Sequence, residues 1–451
     1  MPIVRPRLTD YYGVASRQED LDFAIPFLDE DIPLYVDPFL LWRSPSLQDN
    51  ALHTAAVNSF NYLGHLNKSD PVAAEEMLIN LSECDEAGLG NSHTKKGKRI
   101  GSASAKRILA LFSQIPHYAK CGFTHFEEIQ FFVENFAKDR ISDMFCNFIK
   151  SFLIDYTIQQ CHQVGIPLVS TPTTVYRYTT NTLEKETVTL PVNPETKDGI
   201  ILIPKHWLRY APWINADEFY RAFEPEGQEL ARGSRQVLTY SRHDFDAVRA
   251  YVRDRESSRD QCKNDPLFTQ IPITSARASL GVIRGLPTGI QESSDKKYER
   301  EASRLLASLM YPQLDFATSQ SRTEEGVLIR DLIFYNNRSH PFLADIWDTY
   351  HSRQLVFELK NVREIERDHI NQLNRYLTSD FGLFGVLLTR NRLKSAMLKN
   401  VTQLWAGQRR CIIAVTDEDL ELMVAIYETK QRDPVDVLKK KYAEFMANCP
   451  S

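Results

Sequence analysis

From about Asn50 the apolar positions recur at spacings of three and four. The stretch ALHTAAVNSFNYLGHL therefore predicts one amphipathic helix. Pro71 and the small residues after it predict a second helix, with Asp70 as its cap. The helical texture continues through AKRILALFSQI, HFEEIQFFVENFA and DRISDMFCNFIKSFLIDYTIQQC. After Gly165-Ile166-Pro167 it gives way to Val-, Thr- and Tyr-rich runs, TTVYRYTT, ETVTLPV and DGIILIPK, which read as strands. The first fifty residues look extended and irregular, broken by Pro2, Pro6, Pro26, Pro33 and Pro38. Within them IPLYVDPFLLW has a strand-like start.

The C-terminal pattern is cleaner. Lys296 to Met310 predicts an amphipathic helix with Leu305, Leu306, Leu309 and Met310 on one face. GVLIRDLIFYNN alternates like a strand or a tight strand pair, PFLADIWDTYHS like a helix, and LVFELKNV (Leu355 to Val362) like a strand. DHINQLNRYLTSD then predicts a helix and FGLFGVLLTRN a buried strand. Thr416 and Asp419 form a capping-box pattern opening a helical tail, which breaks at Asp433-Pro434 and resumes through VLKKKYAEFMA.

The interval Ser279 to Ser294, rich in Gly, Pro and Ser, is the expected domain boundary. The expected division is 1–167, mainly helical; 168–290, strand-containing and separate from or part of the same domain; 296–415, an α/β domain; and 416–451, a helical tail. The expected class is an α/β C-terminal core preceded by a larger mixed α+β region.

Bulk composition narrows the function classes only a little. The 451 residues are 43% hydrophobic and 25% charged, the balance of a globular chain with a sizeable core. The net charge of −5 gives no global basic field, so any nucleic-acid contact must rest on local patches. No run of about 18 apolar residues predicts a membrane span, and the N-terminal MPIVRPRLTDYYG lacks the apolar core of a secretory signal. The seven cysteines are scattered without a CxxC pair, and Cys161-His162 has no second pair to complete a metal site. Free thiols in a reducing cytosol are the expectation.

Candidate chemistry sits on the strands. In LVFELKNV, alternation puts Glu358 and Lys360 on one face and Phe357 and Leu359 on the other. An acid and a base on an otherwise apolar strand are expensive to bury unless something compensates them. Asp331 interrupts LIRDLIF in the same way. If the two strands pair, Asp331 and Glu358 can share one hard cation, magnesium or manganese, and Lys360 can orient an attacking water or meet a phosphate. The bland alternative is a solvated pair on an edge strand.

Asp331 followed by Glu358-Leu359-Lys360 on a later strand resembles the PD-(D/E)xK nuclease superfamily, although Arg330 stands where the family pattern has its proline. Gln372 and Tyr376 on the next helix resemble the QxxxY element of the RecB-like branch. Tyr298-Glu299 resembles the aromatic-Glu pair of the preceding helix, with Glu301 as a competing candidate. The resemblance covers roughly Lys296 to Cys411. It implies a restriction-endonuclease-like core, a mixed central sheet flanked by helices. It also implies a magnesium- or manganese-dependent endonuclease, DNA in preference to RNA, and a homodimer that cuts both strands. Asp331, Glu358 and the Leu359 carbonyl would be metal ligands, with Lys360, Glu299 and Gln372 in catalysis and Tyr376 at the substrate. A role in bacterial defence against phage, with defence-system partners, is the context it brings. The gap between Asp331 and Glu358 is longer than the family's. His351 and His369 lie near the site in sequence but read as solvated or core residues.

A basic loop, HTKKGKRIGSASAKR, clusters Lys95, Lys96, Lys98, Arg99, Lys106 and Arg107 around two glycines. It reads either as a phosphate-backbone contact or as an exposed, solvated loop. Two other function classes stay open: a non-catalytic nucleic-acid-binding or scaffold protein on a nuclease-like fold, and a nucleotide-sensing effector using the basic loop.

Overall fold

The computed structural model describes residues 4–16, 18–90, 97, 99–133, 136, 138–221, 245–264, 273–311, 313–322, 329–379, 381–429 and 432–449. The chain forms two units, one of residues Arg7–Leu267 and one of Phe268–Ser451 joined by Met1–Pro6. The division thus falls before the interval Ser279 to Ser294. The first part of that interval, to Gly285, continues the helix Ile273–Gly285 of the C-terminal unit, and only the stretch after it is irregular. The strand-containing residues 168–264 share their unit with the helical ones, and residues 416–449 pack on the C-terminal core rather than forming a separate tail.

The N-terminal unit contains α1 (Leu8–Tyr12), β1 (Tyr35–Val36), α2 (Pro38–Trp42), α3 (Leu47–Ser69), α4 (Pro71–Leu81), α5 (Ser102–Gln114), α6 (Pro116–Cys121), α7 (Lys138–Phe148) and α8 (Lys150–Val164). After these come β2 (Val169–Arg177), β3 (Thr182–Leu190), β4 (Leu208–Arg209), α9 (Ala216–Arg221) and α10 (Phe245–Ser257). The Asp70 carboxylate accepts from the Ala73 N–H at 3.0 Å, so the cap read from sequence is real. β2 and β3 pair antiparallel along their whole length, from Val169 opposite Leu190 to Arg177 opposite Thr182. Fully buried Phe39, Phe60, Phe126, Phe131, Phe132, Phe145 and Phe148 dominate the core.

Two local expectations fail for physical reasons. HFEEIQFF forms a short 3₁₀ turn, Phe126–Phe131, rather than an amphipathic helix, because apolar and acidic side chains are buried on every side of it. In DGIILIPK the alternation is real: Ile200 and Leu202 enter one cluster, Ile201 and Ile203 another. Among the described residues no neighbouring strand supplies a ladder. The amides of Ile200, Ile201 and Leu202 bond separately to Pro191 O, Glu86 O and Thr157 Oγ1, so the segment is extended but outside any sheet.

Carboxylates crowd one part of this unit. Burial and the charges of Glu83, Asp139, Asp31 and Asp85 push Asp143 well above the ordinary range. Burial, with Asp85, Asp139 and Asp31 against Arg140, pushes Glu83 up to about 7. Folded Glu83 therefore keeps a proton that the unfolded chain releases near 4.5. Its contribution is fully present below that value and is lost as pH rises toward 7. Glu83→Gln is expected to stabilise the chain by about 1 kcal/mol at pH 8, after discounting for the side chain's partial exposure, and to be neutral at pH 4. Urea denaturation at the two pH values measures this. Equal effects at both would refute it.

The C-terminal unit contains α11 (Ile273–Gly285), α12 (Ser294–Leu309), β5 (Leu314–Arg322), β6 (Ile329–Asn336), α13 (Pro341–Tyr350), β7 (Gln354–Lys360), α14 (Arg367–Tyr376), β8 (Phe384–Thr389), α15 (Ser395–Gln408), β9 (Cys411–Thr416), α16 (Asp417–Thr429) and α17 (Val435–Ala447). Among the described residues these strands make a five-stranded mixed sheet in the order β5-β6-β7-β8-β9. β5, β6 and β7 run antiparallel, and β7, β8 and β9 parallel. GVLIRDLIFYNN supplies the single strand β6 from Ile329, while residues 326–328 lie outside the described residues. On the side away from β7 its antiparallel partner is β5, whose LDFATSQSR sequence shows no clear alternation. The Val4 N–H donates to Ala317 O on β5. Half of the capping box forms: the Asp419 carboxylate accepts from the Thr416 N–H at 2.9 Å, and the Thr416 hydroxyl, instead of capping the helix, donates to the same carboxylate at 2.9 Å. Gly382 leads into β8 at φ +115°, and a Cβ there would lie 2.4 Å from Ser352 Cα.

Among the described residues no helix is long and apolar enough to cross a membrane.

Candidate functional site

β7 lies inside the sheet, between antiparallel β6 and parallel β8, so the edge-strand alternative for Glu358 and Lys360 does not hold. The β6–β7 ladder pairs Leu332 with Phe357. One step further along this register sets Asp331 across from Glu358. There the Asp331 carboxylate takes over from the backbone, its Oδ2 accepting from the Leu359 N–H at 2.8 Å. The acid thus ties together the two strands that carry the site.

Glu358 is fully buried and Asp331 nearly so. Lys360 Nζ lies 2.5 Å from Glu358 Oε1 and 3.8 Å from Asp331 Oδ2. Among the described residues Glu358 Oε2 has no hydrogen-bond partner. Burial, then the Asp331 charge, pushes Glu358 up to about 8, with Lys360 opposing and Glu299 adding to the rise. Burial also raises Asp331, against Lys360 and the Leu359 amide. Burial would lower Lys360, but Glu358 and Asp331 outweigh it and hold the ammonium charged to higher pH than usual. One cation thus faces two buried carboxylates with a third acid close by. A site so short of positive charge is suited to a hard cation.

The neighbouring helices supply the rest. α14 brings Gln372 and Tyr376 together, Gln372 Nε2 donating to Tyr376 Oη at 3.3 Å. Burial raises the Tyr376 phenol, Gln372 lowers it, and the charges of Glu358, Asp331 and Lys360 all reach it. Between Glu299 and Glu301, it is Glu299 whose charge acts on Glu358, whereas Glu301 pairs with Arg300 at 3.1 Å. Tyr298 is turned to another partner, its hydroxyl donating to Asp417 Oδ1 at 3.1 Å.

His369 reciprocates the helix cap, its Nδ1 accepting from the Glu366 N–H at 3.0 Å. Burial and the Lys360 charge lower its pKa, so it stands closer to the site than its sequence reading implied. His351 instead ends α13 in the left-handed region, at φ 53°. Arg99 belongs to the N-terminal unit and donates to Asn80 Oδ1 at 3.0 Å, while Lys95, Lys96 and Lys98 lie outside the described residues.

Sequence reasoning missed a support behind the site. Asn361, directly after Lys360, donates to the carbonyls of Pro287 and Gly289 at 2.9 and 3.1 Å. Arg390 joins Asn361 Oδ1 at 2.8 Å to Asp417 Oδ2 at 2.6 Å and lies over the Tyr298 ring. The only sequence signal was a polar pair, Asn361 and Arg390, at the ends of two adjacent strands.

Residues 13–215 match the family described as Domain of unknown function (DUF8370), a stretch that stops short of the site on β6 and β7. The chain is also similar to "Putative transposon gamma-delta 80.3 kDa protein" of Escherichia coli (strain K12), at 35% identity over 71 residues. That similarity covers 16% of this chain, and the chain spans about 10% of the length of that relative. No solved structure matches the chain.

Proposed function

We propose that the C-terminal unit is a metal-dependent nuclease that hydrolyses phosphodiester bonds, with DNA the preferred substrate. The observation that carries this reading is the fully buried Glu358 beside Asp331, with Lys360 as the cation contacting both. The element order α12, β5, β6, α13, β7, α14, β8 supports it, being that expected of a restriction-endonuclease-like core with α13 inserted between β6 and β7.

The orphaned Glu358 oxygen and the all-oxygen donor set fit magnesium or manganese. Asp331 and Glu358 would hold the ion, with the Leu359 carbonyl as a third protein ligand. When bound, it would supply Lewis-acid activation of a phosphodiester and its attacking water. Lys360 keeps a proton on Nζ for the phosphate and orients the water beside Glu358. Glu299 deepens the negative field at Glu358, and Gln372 and Tyr376 position substrate from α14. A homodimer would bring two such sites to a duplex, and defence against phage with partner proteins is the proposed setting.

Cleavage of plasmid, linear duplex and single-stranded DNA, and of RNA, with magnesium or manganese is the test. Cutting that needs the metal and Glu358 supports the reading. Metal-dependent cutting that survives loss of Glu358 sinks it. Gln372→Ala and Tyr376→Phe are expected to slow cutting about tenfold by loosening substrate or water placement, well short of the loss at the acids. Single-turnover rates measure this, and unchanged rates in both would remove α14 from the site.

A further inference from the structure

The N-terminal unit holds a second cluster of groups able to bind a metal, chemically unlike the first. His53 on α3, and His125 and Glu127 at the 3₁₀ turn, each offer a ligand atom within 4.8 Å of the others. His125 and Glu127 are fully buried and His53 is 4% exposed. Among the described residues His53 Nε2, His125 Nδ1 and both Glu127 carboxylate oxygens have no hydrogen-bond partner. Unpartnered polar atoms on three neighbouring buried side chains are costly, and one cation bound by an atom from each would offset that cost.

The surroundings separate ligands from bystanders. Glu128, the next acid, accepts from Tyr118 Oη at 2.6 Å. Asp37 accepts from the amides of Phe39 and Trp213 at 3.1 and 2.8 Å and meets Arg209 at 3.3 Å. Glu127 alone of the three acids is left open. His125 Nε2 lies 3.1 Å from Glu256 Oε1 on α10. With the proton on Nε2, this contact turns the Nδ1 lone pair toward the cluster, the carboxylate–histidine arrangement that orients metal ligands. The rings of Phe39 and Trp42 pack on His125 at centroid distances of 5.5 and 5.1 Å and keep water away.

We propose that His53, His125 and Glu127 form a buried site for a divalent transition metal of the zinc class. Two imidazoles and one carboxylate suit such an ion, whereas magnesium and calcium prefer oxygen alone. Bonds of about 2.0–2.2 Å to a shared ion require the three side chains to draw in slightly from their present separation. The site is independent of the nuclease reading, because none of its residues lies in the C-terminal unit.

The test titrates zinc or cobalt into the full chain after chelator treatment, with excess magnesium present to occupy the carboxylate site on β6 and β7. One tightly held ion per chain is expected, with visible cobalt bands of a four- or five-coordinate, nitrogen-ligated centre. His53→Gln and Glu127→Gln should each weaken binding at least 100-fold. Glu256→Gln, a positioning change, should weaken it about 10- to 100-fold and shift the cobalt bands without abolishing them. No stoichiometric binding by the wild-type chain overturns the site, as does unchanged binding in His53→Gln and Glu127→Gln. If either variant fails to fold, the wild-type cobalt spectrum decides alone, and absent bands overturn the proposal.

Discussion

Asp331→Ala and Glu358→Ala are each expected to reduce metal-dependent DNA cleavage by about 10³-fold or more, and Lys360→Ala by about 10²- to 10³-fold. Removing either carboxylate takes away half of the side-chain oxygens that would face the ion. The transition-state charge stabilisation at stake is about 4 kcal/mol, which corresponds to that factor. Lys360 is worth less, because the ion would share its task of meeting charge on the phosphate. Lys360→Arg should not restore the rate. A planar guanidinium cannot place one point charge 2.5 Å from Glu358 and 3.8 Å from Asp331 without displacing one of them. Initial rates on plasmid and linear DNA, with folding checked by circular dichroism, measure these factors. If all three alanine variants cut like wild type, the chemistry lies elsewhere in the chain. If wild type cuts nothing while still binding metal, an activating signal is missing.

The second large effect is on stability and separates a metal site from a structural ion pair. If the Glu358–Lys360 pair were the main tie of the sheet, with Asp331 committed to the Leu359 amide, Glu358→Gln would take the close partner from a partly buried ammonium and cost about 3–5 kcal/mol. In the metal-site reading Lys360 faces two carboxylates, so losing one relieves repulsion and leaves Asp331 to balance the ammonium. The metal-free variant should then lie within about 1 kcal/mol of wild type, or above it. Magnesium at about a hundred times its dissociation constant should stabilise wild type by about 2.7 kcal/mol and leave Glu358→Gln nearly unmoved. Urea denaturation with and without magnesium gives both numbers. A large loss in the metal-free variant together with no magnesium effect on wild type would favour a scaffold on this fold.

Much of the helical framework was legible because it depends on local chemistry. The Asp70 cap, the amphipathic stripe of α12, the Thr416–Asp419 box and the break at Asp433-Pro434 are each set within a few residues of chain. β5, α15 and β9 were not read. β5 is polar and edge-like, and its strand ladder comes from β6. β9 follows an arginine pair at Arg409 and Arg410, which masks its start, although Cys411, Ile412, Ile413 and Val415 are buried. DGIILIPK shows the opposite failure, where strand-like alternation found separate partners in place of a ladder.

For the candidate site, alternation along LVFELKNV was enough to put Glu358 and Lys360 on one face, since a strand's period of two is a local property. Sequence alone also made Asp331 an anomaly in an apolar run. It could not say that β7 is an interior strand, that Asp331 meets the Leu359 amide across the sheet, or that Glu299 rather than Glu301 acts on Glu358. Those facts depend on which strands pair and how α12 is rotated, and that is set by burial of the whole core. His53, His125 and Glu127 are the extreme case. With 71 residues between the histidines and no spacing motif, only packing of the N-terminal unit brings the three side chains together.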